Sequence, residues 1–255
     1  MTVYELSKYM NERIPRELSC SWDNDGLMCC PDGSREVKNV LFCMDVTPEA
    51  IDFAIENGYD LIISHHPLIF KGVKSVSGDF GIPSRIIKLI KNDVSVMSFH
   101  TRFDAVDGGV NDALASLFEL TDVEKIECDG IELMRVGNLH SEMSLDEFVI
   151  MVKEKLGCEH LNYASNNNSV HRLALVGGGG GSYIRDAYHA GADTYLSGEI
   201  GYHNLTDCKD SHINLVEAGH YFTENIALKN LADIVLGADK DINCGFFETN
   251  VIKHI

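Results

Sequence analysis

The sequence is poor in basic residues and has no long apolar run. Its 21 lysine and arginine residues stand against 39 aspartate and glutamate residues, which gives a formal charge of -18. Non-specific nucleic-acid binding depends on basic side chains that neutralise phosphates, so this composition argues against nucleic acid as a partner. No apolar run approaches the roughly 18 residues that a membrane span needs, and no basic and then apolar leader pattern opens the sequence. We therefore expect a cytoplasmic protein with no membrane partner.

The eight cysteines lack the C-x-x-C spacing that is typical of metal ribbons and redox motifs. A chain of 255 residues is also too long to depend on disulfides for its stability. We predict reduced thiols with a structural role. The adjacent Cys29 and Cys30 leave a second interpretation open, a redox-active or metal-binding pair.

Short apolar segments alternate with helical patterns in the first half of the chain. Strands are predicted at 40–44, 59–64 and 94–99. The connection after the first strand begins with Thr47 and Pro48, a typical N-cap followed by a proline at the first helical position. A second helix is predicted at 83–91. This alternation predicts a mainly parallel sheet flanked by helices.

The second half of the chain repeats the pattern of the first. The segment 191–197 matches 58–64, and the same offset pairs Leu173 with Val40. After a later strand, each half also carries a histidine and a carboxylate four residues apart. These pairs are His100 with Asp104, and His220 with Glu224.

The repeat predicts an α/β protein of two related lobes, with a metal site in the cleft between them. The first lobe is expected to cover 1–125 and to be completed by the C-terminal segment 241–255. The second lobe is expected to cover 126–240. We interpret the charged stretch 121–129 as the separator of the two halves, and the polar run 165–169 as a hairpin or loop.

Two adjacent histidines, His65 and His66, follow the apolar strand of the first half. In open α/β sheets, ligands bind beyond the carboxyl ends of the strands. Successive side chains of a strand point to opposite sides, so these imidazoles are more naturally divided between two metal ions than given to one. The alternative is that they are hydrogen-bonded histidines at a strand end.

Three imidazoles and two carboxylates thus form a candidate ligand set: His65, His66, Asp104, His220 and Glu224. Mixed imidazole and carboxylate ligands suit Zn, Fe or Mn better than Mg or Ca. We expect two divalent ions per subunit, because paired ions can activate water and hold an anionic substrate.

Two further residues, His100 and Glu199, are weak candidates for catalysis. Glu199 lies in Ser197-Gly198-Glu199, at the repeat position of Ser64-His65-His66, with His203 four residues later. The alternative for Glu199 and His203 is an ordinary surface pair.

The glycine run Gly177–Gly181 follows a predicted strand and precedes a helix. It is interpreted as a tight turn or as a segment that lets a substrate approach the backbone. For the polar segment 22–27, positioning of a loop is favoured over substrate contact.

Several segments together resemble the Nif-three family, whose members are often labelled GTP cyclohydrolase I type 2 homologues. In chain order these are WDNDGL, SHHPLIF, FHTRFDAVDGGVND, the glycine run, YLSGEIGYHN and EAGHYFTEN. The resemblance implies two similar α/β lobes, a dinuclear metal centre and a toroidal homohexamer with the metals facing an internal cavity. It implies the same five ligands, with Glu224 as a bridge, and places His100 close to them.

The resemblance and the ligand set predict a metal-dependent hydrolase of cyclohydrolase or phosphoesterase type. A metal-bound hydroxide would attack a small, nucleotide-like anion. The alternative is a non-enzymatic metal-binding or regulatory ring protein. The sequence selects neither the metal nor the substrate.

Overall fold

The structure is a computed structural model and describes residues 1–78 and 80–252. The chain divides into two compact units. Unit 1 comprises Met1–Val106 and Leu228–Val251, and unit 2 comprises Asp107–Ala227 with the last described residue, Ile252. In the described ranges, every helix is too short or too polar to cross a membrane.

The sheet of unit 1 has four parallel strands and one antiparallel edge strand. The strands are β1 (Gly26–Cys29), β2 (Asn39–Cys43), β3 (Leu61–Ser64), β4 (Ser95–Ser98) and β11 (Asn243–Phe246). Their order is β1-β4-β3-β2-β11, and β1 is the antiparallel edge. The central strand β3 is buried along its whole length, which explains its continuous apolar sequence.

Helices connect and cover the strands of unit 1. They are α1 (Val3–Arg13), α2 (Pro48–Glu56), α3 (Gly81–Lys91), α4 (Thr101–Ala105) and α11 (Leu228–Ala238), with a 3-10 turn at Arg16–Leu18. Thr47 caps α2 as predicted, since its side chain accepts a hydrogen bond from the Ala50 amide. Ala50, Ile51 and Ala54 of α2 are buried. Between the sheet and the helices lies an apolar core that includes Leu41, Ile62 and Leu89.

The sheet of unit 2 is mixed. Its strands are β5 (Thr121–Cys128), β6 (Ile131–Met143), β7 (Asn162–Ala164), β8 (Val170–Gly179), β9 (Thr194–Glu199) and β10 (Asn214–Glu217), in the order β5-β6-β8-β9-β10-β7. The strands β8, β9 and β10 are parallel to one another. The others pair antiparallel with their neighbours.

Unit 2 has its own helices and core. The helices are α5 (Val110–Leu117), α6 (Leu145–Leu156), α7 (Ile184–His189), α8 (Tyr202–Thr206), α9 (Cys208–Ser211) and α10 (His220–Glu224), followed by a 3-10 turn at Asn225–Ala227. Leu114, Phe148 and Leu196 are among the buried residues of its core. The predicted α/β class is therefore confirmed, with two sheets that are largely parallel taken together and flanked by helices; in unit 2 the parallel part is β8, β9 and β10.

One local prediction in the second half was wrong, and another is confirmed in one of its two alternatives. The charged stretch 121–129 contains β5, which pairs antiparallel with β6 as a solvent-exposed edge strand. Charged residues are usual on such edges because they discourage pairing with other chains. The polar run 165–169 is a loop and does not close a hairpin, since β7 pairs with β10 and not with β8.

The two sheets share one topology over four strands. In each, an antiparallel edge strand is followed by three parallel strands, β4-β3-β2 in unit 1 and β10-β9-β8 in unit 2. The registers also correspond, because Val40 pairs with Leu61 and Leu173 pairs with Thr194. The sequence repeat thus reflects repeated topology.

Two segments fall in a different unit from their predicted lobe. The residues 107–125 lie in unit 2, and the chain returns to unit 1 at Leu228. The first difference follows from the pairing of β5 with β6, and the second from the packing of α11 against α1 and β2. The C-terminal strand β11 extends the unit 1 sheet beside β2. Residues 253–255 of the predicted C-terminal segment lie outside the described residues.

Candidate metal centre

The two adjacent histidines of unit 1 continue the line of β3 beyond its carboxyl end. The amide of His65 donates to the Cys43 carbonyl at 3.2 Å, and the amide of His66 donates to the Met44 carbonyl at 2.9 Å. Ser64 is fixed as well, because its hydroxyl donates to the His66 carbonyl at 2.8 Å. The backbone under both imidazoles is therefore held by the neighbouring strand.

Three imidazoles of unit 1 share one kind of anchor, an oxygen acceptor close to the Nδ1 atom. The Nδ1 atom of His65 lies 2.9 Å from the Phe99 carbonyl oxygen. His66 Nδ1 lies 2.8 Å from Asp45 Oδ1, and His100 Nδ1 lies 2.9 Å from Asp23 Oδ1. An oxygen acceptor at Nδ1 holds the proton on that nitrogen, which leaves the Nε2 lone pair for a metal ion.

These three rings converge. One ligand atom from each of His65, His66 and His100 lies within 4.8 Å of the others. We call these three residues the imidazole cluster. A carboxylate joins it, since Asp104 Oδ1 lies 3.5 Å from His65 Nε2. His65 and Asp104 are buried, while His66 and His100 are partly open. The donor types and anchoring fit a borderline metal ion such as Zn, Fe or Mn.

The start of α4 is held by the polar segment around Asp23. Asp23 Oδ2 accepts from the Thr101 amide at 3.0 Å and from the Thr101 hydroxyl at 2.6 Å. Burial alone would raise the pKa of Asp23, but the hydrogen bond and charge of His100 and the bonds from Thr101 hold that pKa at about 2. Asp23 is therefore an ionised anchor for His100, in agreement with the predicted positioning role of segment 22–27.

Unit 2 supplies a second set of donors at the carboxyl ends of its strands. His220 opens α10 and Glu224 ends it, so their side chains share one helix face, with His220 Nε2 3.1 Å from Glu224 Oε2. On its other nitrogen, His220 Nδ1 lies 3.4 Å from Oε1 of Glu199. Glu224 is buried and Glu199 is exposed. Glu199 therefore lies next to His220, one of the two candidate ligands of unit 2.

The glycine run lets the backbone pass directly under this pair. A Cβ at Gly178, whose φ is +63°, would overlap Oε1 of Glu224 and lie 3.1 Å from His220 Nε2. The Gly178 amide donates to the Thr223 hydroxyl at 3.0 Å, which fixes α10 to the end of β8. A Cβ at Gly198 would come within 2.8 Å of the His220 Cα. Close packing of α10 against two strand ends accounts for glycine at both positions.

The two histidine-carboxylate motifs are displaced by one residue, which the sequence match did not predict. The sheet registers pair Ser64 with Ser98 in unit 1 and Ser197 with Glu217 in unit 2. By this register His100 corresponds to Gly219, and both are helix N-caps. His220 instead occupies the first turn of its helix.

Sequence reasoning missed the two carboxylates that anchor imidazoles, Asp23 and Asp45. The position of Asp45, two residues after the end of β2 and close to the end of β3, was the available signal. Asp23 lies in a segment interpreted only as a polar turn. His203, which was paired with Glu199 in the sequence, has its ring against Tyr202 with centroids 5.5 Å apart.

Comparison with known proteins gives consistent matches over most of the chain. The family model described as Duf34/NIF3 (NGG1p interacting factor 3) matches residues 1–254. The GTP cyclohydrolase 1 type 2 homolog of Clostridium perfringens is 33% identical over 230 residues, covering 88% of this chain and 87% of that protein. The homolog of Clostridium acetobutylicum is 31% identical over 232 residues, covering 88% and 85%.

A solved structure matches in three dimensions. The crystal structure of a hypothetical protein of Staphylococcus aureus superposes with a TM-score of 0.89 and 28% identity, covering 100% of this chain and 99% of that one. The resemblance predicted from the sequence motifs is thus confirmed over the full length. The chain belongs to the Duf34/NIF3 family.

Proposed function

We propose that this protein is a metal-dependent hydrolase that acts on a small, nucleotide-like anion. The observation that carries the proposal is the convergence of three imidazoles, each with its Nδ1 held by an oxygen acceptor. A histidine that binds a metal ion almost always donates its other ring N–H to such an acceptor. The family label of the curated relatives points to the same class of chemistry.

The proposed metal content is two divalent ions per chain. The residues that would hold them are His65, His66, Asp104, His220 and Glu224. The support is that two of these histidines each have an imidazole nitrogen close to a carboxylate oxygen, at 3.5 Å for His65 and Asp104 and at 3.1 Å for His220 and Glu224. Divalent ions bound there would lower the pKa of water and polarise an anionic oxygen.

The protein's own residues have distinct roles in this scheme. Asp23, Asp45 and the Phe99 carbonyl orient the imidazoles. His100 lies among the ligand atoms without being one of the five proposed ligands, so it is placed to accept a proton from the attacking water. Glu199 is exposed beside His220 and is placed to contact the substrate. Two divalent ions with two carboxylates leave positive charge that suits an anionic substrate.

The test is metal analysis and a hydrolysis screen on protein purified without chelator or added metal. We expect about two metal ions per chain, with hydrolysis of at least one substrate among GTP, cyclic nucleotides and phosphodiesters. His65→Ala and Glu224→Ala should each lose metal and activity. His140→Ala, an exposed histidine on β6, is the matched control and should retain both. Normal metal content in Glu224→Ala would refute ligation by Glu224.

A non-enzymatic metal-binding or regulatory role is the second candidate. The firm anchoring of His65 and His66 favours it equally, because pre-oriented ligands also serve tight retention. A catalytic ion needs an open coordination position and a storage ion does not. This role would be supported if the wild-type protein held two metal ions per chain but hydrolysed the substrates no faster than His65→Ala.

We further propose that the protein assembles as the toroidal homohexamer implied by its family resemblance. Large apolar side chains that are exposed in the single chain, including Tyr4, Ile150 and Tyr202, are available for contacts between copies. Light scattering coupled to size exclusion should give the mass of six chains of 28.2 kDa. A monomer across the concentration range would refute the ring.

A further inference from the structure

Two aromatic side chains of unit 1 stand half exposed beside the imidazole cluster. Trp22 is 52% exposed and Phe70 is 46% exposed. Their ring centroids lie 6.0 Å apart with an angle of 73° between the planes. Large aromatic rings contribute most of their stabilisation when buried, so two of them left open together indicate a surface that binds something.

His100 connects these rings to the imidazole cluster. Its ring lies 6.0 Å from Trp22 at 70° and 6.2 Å from Phe70 at 85°. The same ring is 5.3 Å from His65 and 5.6 Å from His66. We call Trp22, Phe70 and His100 the aromatic corner. A molecule seated in this corner would also lie next to the proposed metal ligands of unit 1.

The corner is held in place before any ligand arrives. Asn24 donates its side-chain amide to the Ile69 carbonyl, which ties the loop of Trp22 to the loop of Phe70. Asp23, next to Trp22, holds His100 at 2.9 Å. The His100 ring is therefore fixed by a hydrogen bond, and the loops that carry Trp22 and Phe70 are joined by another. Such a preformed site loses little entropy on binding.

The shape of the corner favours a flat ring over an aliphatic group. Its ring planes meet at steep angles, so a planar molecule can stack on one face and direct its edge at another. Directly after Phe70, the exposed Lys71, Gly72 and Lys74 interrupt the aromatic surface. A protein partner would need a broader apolar surface.

The segment that carries Phe70 also carries positive charge. Lys71 and Lys74 follow Phe70 and are exposed, in a chain of net charge -18. Neither lysine forms an ion pair with any residue that the structure describes. Two lysines this close in sequence to an exposed aromatic residue suit a ligand that carries phosphate as well as a ring.

We propose that the aromatic corner binds the heteroaromatic ring of an anionic substrate and holds it beside the imidazole cluster. This inference rests on the proposed hydrolase function and names the substrate class of the same site. Trp22 and Phe70 are positioning residues, since they contact the ring and not the bond that breaks.

Trp22 is the single tryptophan of the chain, so its fluorescence reports on the corner alone. The probes are GMP and AMP, with ribose 5-phosphate as the phosphate that lacks a ring. We measure binding to chelator-treated and to metal-loaded protein, without turnover. Both purine nucleotides should quench Trp22 emission saturably, and ribose 5-phosphate should not.

The variants separate stacking from general surface effects. Phe70→Leu should weaken GMP binding about tenfold, as expected for loss of one aromatic face. Phe80→Leu, at a phenylalanine that is 86% exposed, is the matched control and should bind as the wild type does. Trp22→Leu, followed by calorimetry, should lose about as much affinity as Phe70→Leu.

Three results would overturn the proposal. The first is the absence of saturable quenching by either purine nucleotide. The second is equal GMP affinity in Phe70→Leu and Phe80→Leu. The third is shielding of Trp22 from acrylamide in ligand-free protein, which would mean that a second copy of the chain already covers the corner. Ring binding without metal-dependent hydrolysis would instead refute the hydrolase and leave the corner in place.

Discussion

The geometry of the candidate site depends on residues that contact the ligands and not only on the ligands themselves. In unit 1, a backbone carbonyl and two carboxylates fix the Nδ1 atoms of the imidazole cluster. In unit 2, two glycines allow α10 to approach the strand ends. Substitutions at these neighbours should therefore change metal binding without removing a ligand.

Gly178→Ala is the sharpest of these substitutions. The new methyl group would overlap the Glu224 carboxylate, and the positive φ of +63° is unfavourable for alanine. We expect metal affinity to fall about tenfold or more, with the secondary structure retained. Metal titration and circular dichroism measure the two quantities.

The neighbouring Gly179→Ala is the control, because a Cβ there meets nothing within 4 Å. It should bind metal as the wild type does. Equal affinities for the two variants would mean that Glu224 can move aside at no cost, contrary to the packing argument.

Glu217 gives a prediction for acid stability in unit 2. Its Oε2 accepts from the amides of Ile200 at 2.6 Å and Gly201 at 2.8 Å. Burial alone would raise the pKa of Glu217, but these bonds and one from Asn162 outweigh it and lower that pKa. The carboxylate then stabilises the fold above its unfolded pKa, near 4.3, and this contribution is lost as pH falls through the lower folded value.

Glu217→Gln should therefore be less stable than wild type at neutral pH, and the difference should shrink as pH falls below about 4. Urea unfolding at a series of pH values measures this. The control is Glu159→Gln at an exposed position. A stability difference that stays constant down to the acid limit would contradict the assigned pKa direction.

At the scale of the element, helix α4 is placed by a buried ion pair. Arg102 and Asp25 are 0% and 2% exposed, and Arg102 Nε donates to Asp25 Oδ2 at 2.8 Å. Arg102 also donates to Asn11 and to the Ile14 carbonyl, which joins α4 to the end of α1. Since His100 and Asp104 flank this arginine, the pair also sets the position of two site residues.

Asp25→Asn should destabilise the protein by about 3 kcal/mol, because it leaves the Arg102 charge buried without its counter-ion. Asp93→Asn is the control, as it removes a surface partner of Arg35 whose side chain is 53% exposed and should cost less than about 1 kcal/mol. Denaturant unfolding gives both values. Similar losses in the two variants would argue that the buried pair contributes no more than a surface pair.

The sequence predicted the elements best where periodicity and turn chemistry agreed. The strands β2, β3 and β4 and the capped helix α2 were found because apolar runs alternate with an N-cap and proline signal. The strand β5 was missed because its exposed, charged side chains carry no apolar pattern. The sequence left a hairpin and a loop open for 165–169, because the pairing of β7 with the distant strand β10 leaves no signal in the local sequence.

At the scale of the whole molecule, the repeat explains what sequence could and could not predict about the site. The apolar strand of the first half located His65 and His66, and the shared offset located the equivalent strand end and therefore Glu199. It could not detect the one-residue displacement between His100 and His220, since helix starts after a strand are set by local backbone turns. Nor could it identify Asp23 and Asp45 as anchors, because their role depends on contacts across distant segments.

The reactivity of the cysteines tests, in one experiment, whether the thiols of both units are reduced and buried. All eight are thiols outside any disulfide, and six are buried. Burial raises the pKa of Cys29 to about 11 and that of Cys128 to about 12, so both stay protonated at neutral pH. The thiolate is the reactive form, and these thiols should therefore react slowly in the folded protein.

Ellman's reagent should modify the partly exposed Cys30 and Cys244 first in native protein, and all eight thiols after denaturation. Cys30→Ser should remove the fastest phase, because burial also raises the pKa of Cys244. Cys128→Ser is the control and should leave that phase unchanged. Fewer than eight reactive thiols in denatured, unreduced protein would reveal a disulfide and restore the redox interpretation of Cys29 and Cys30.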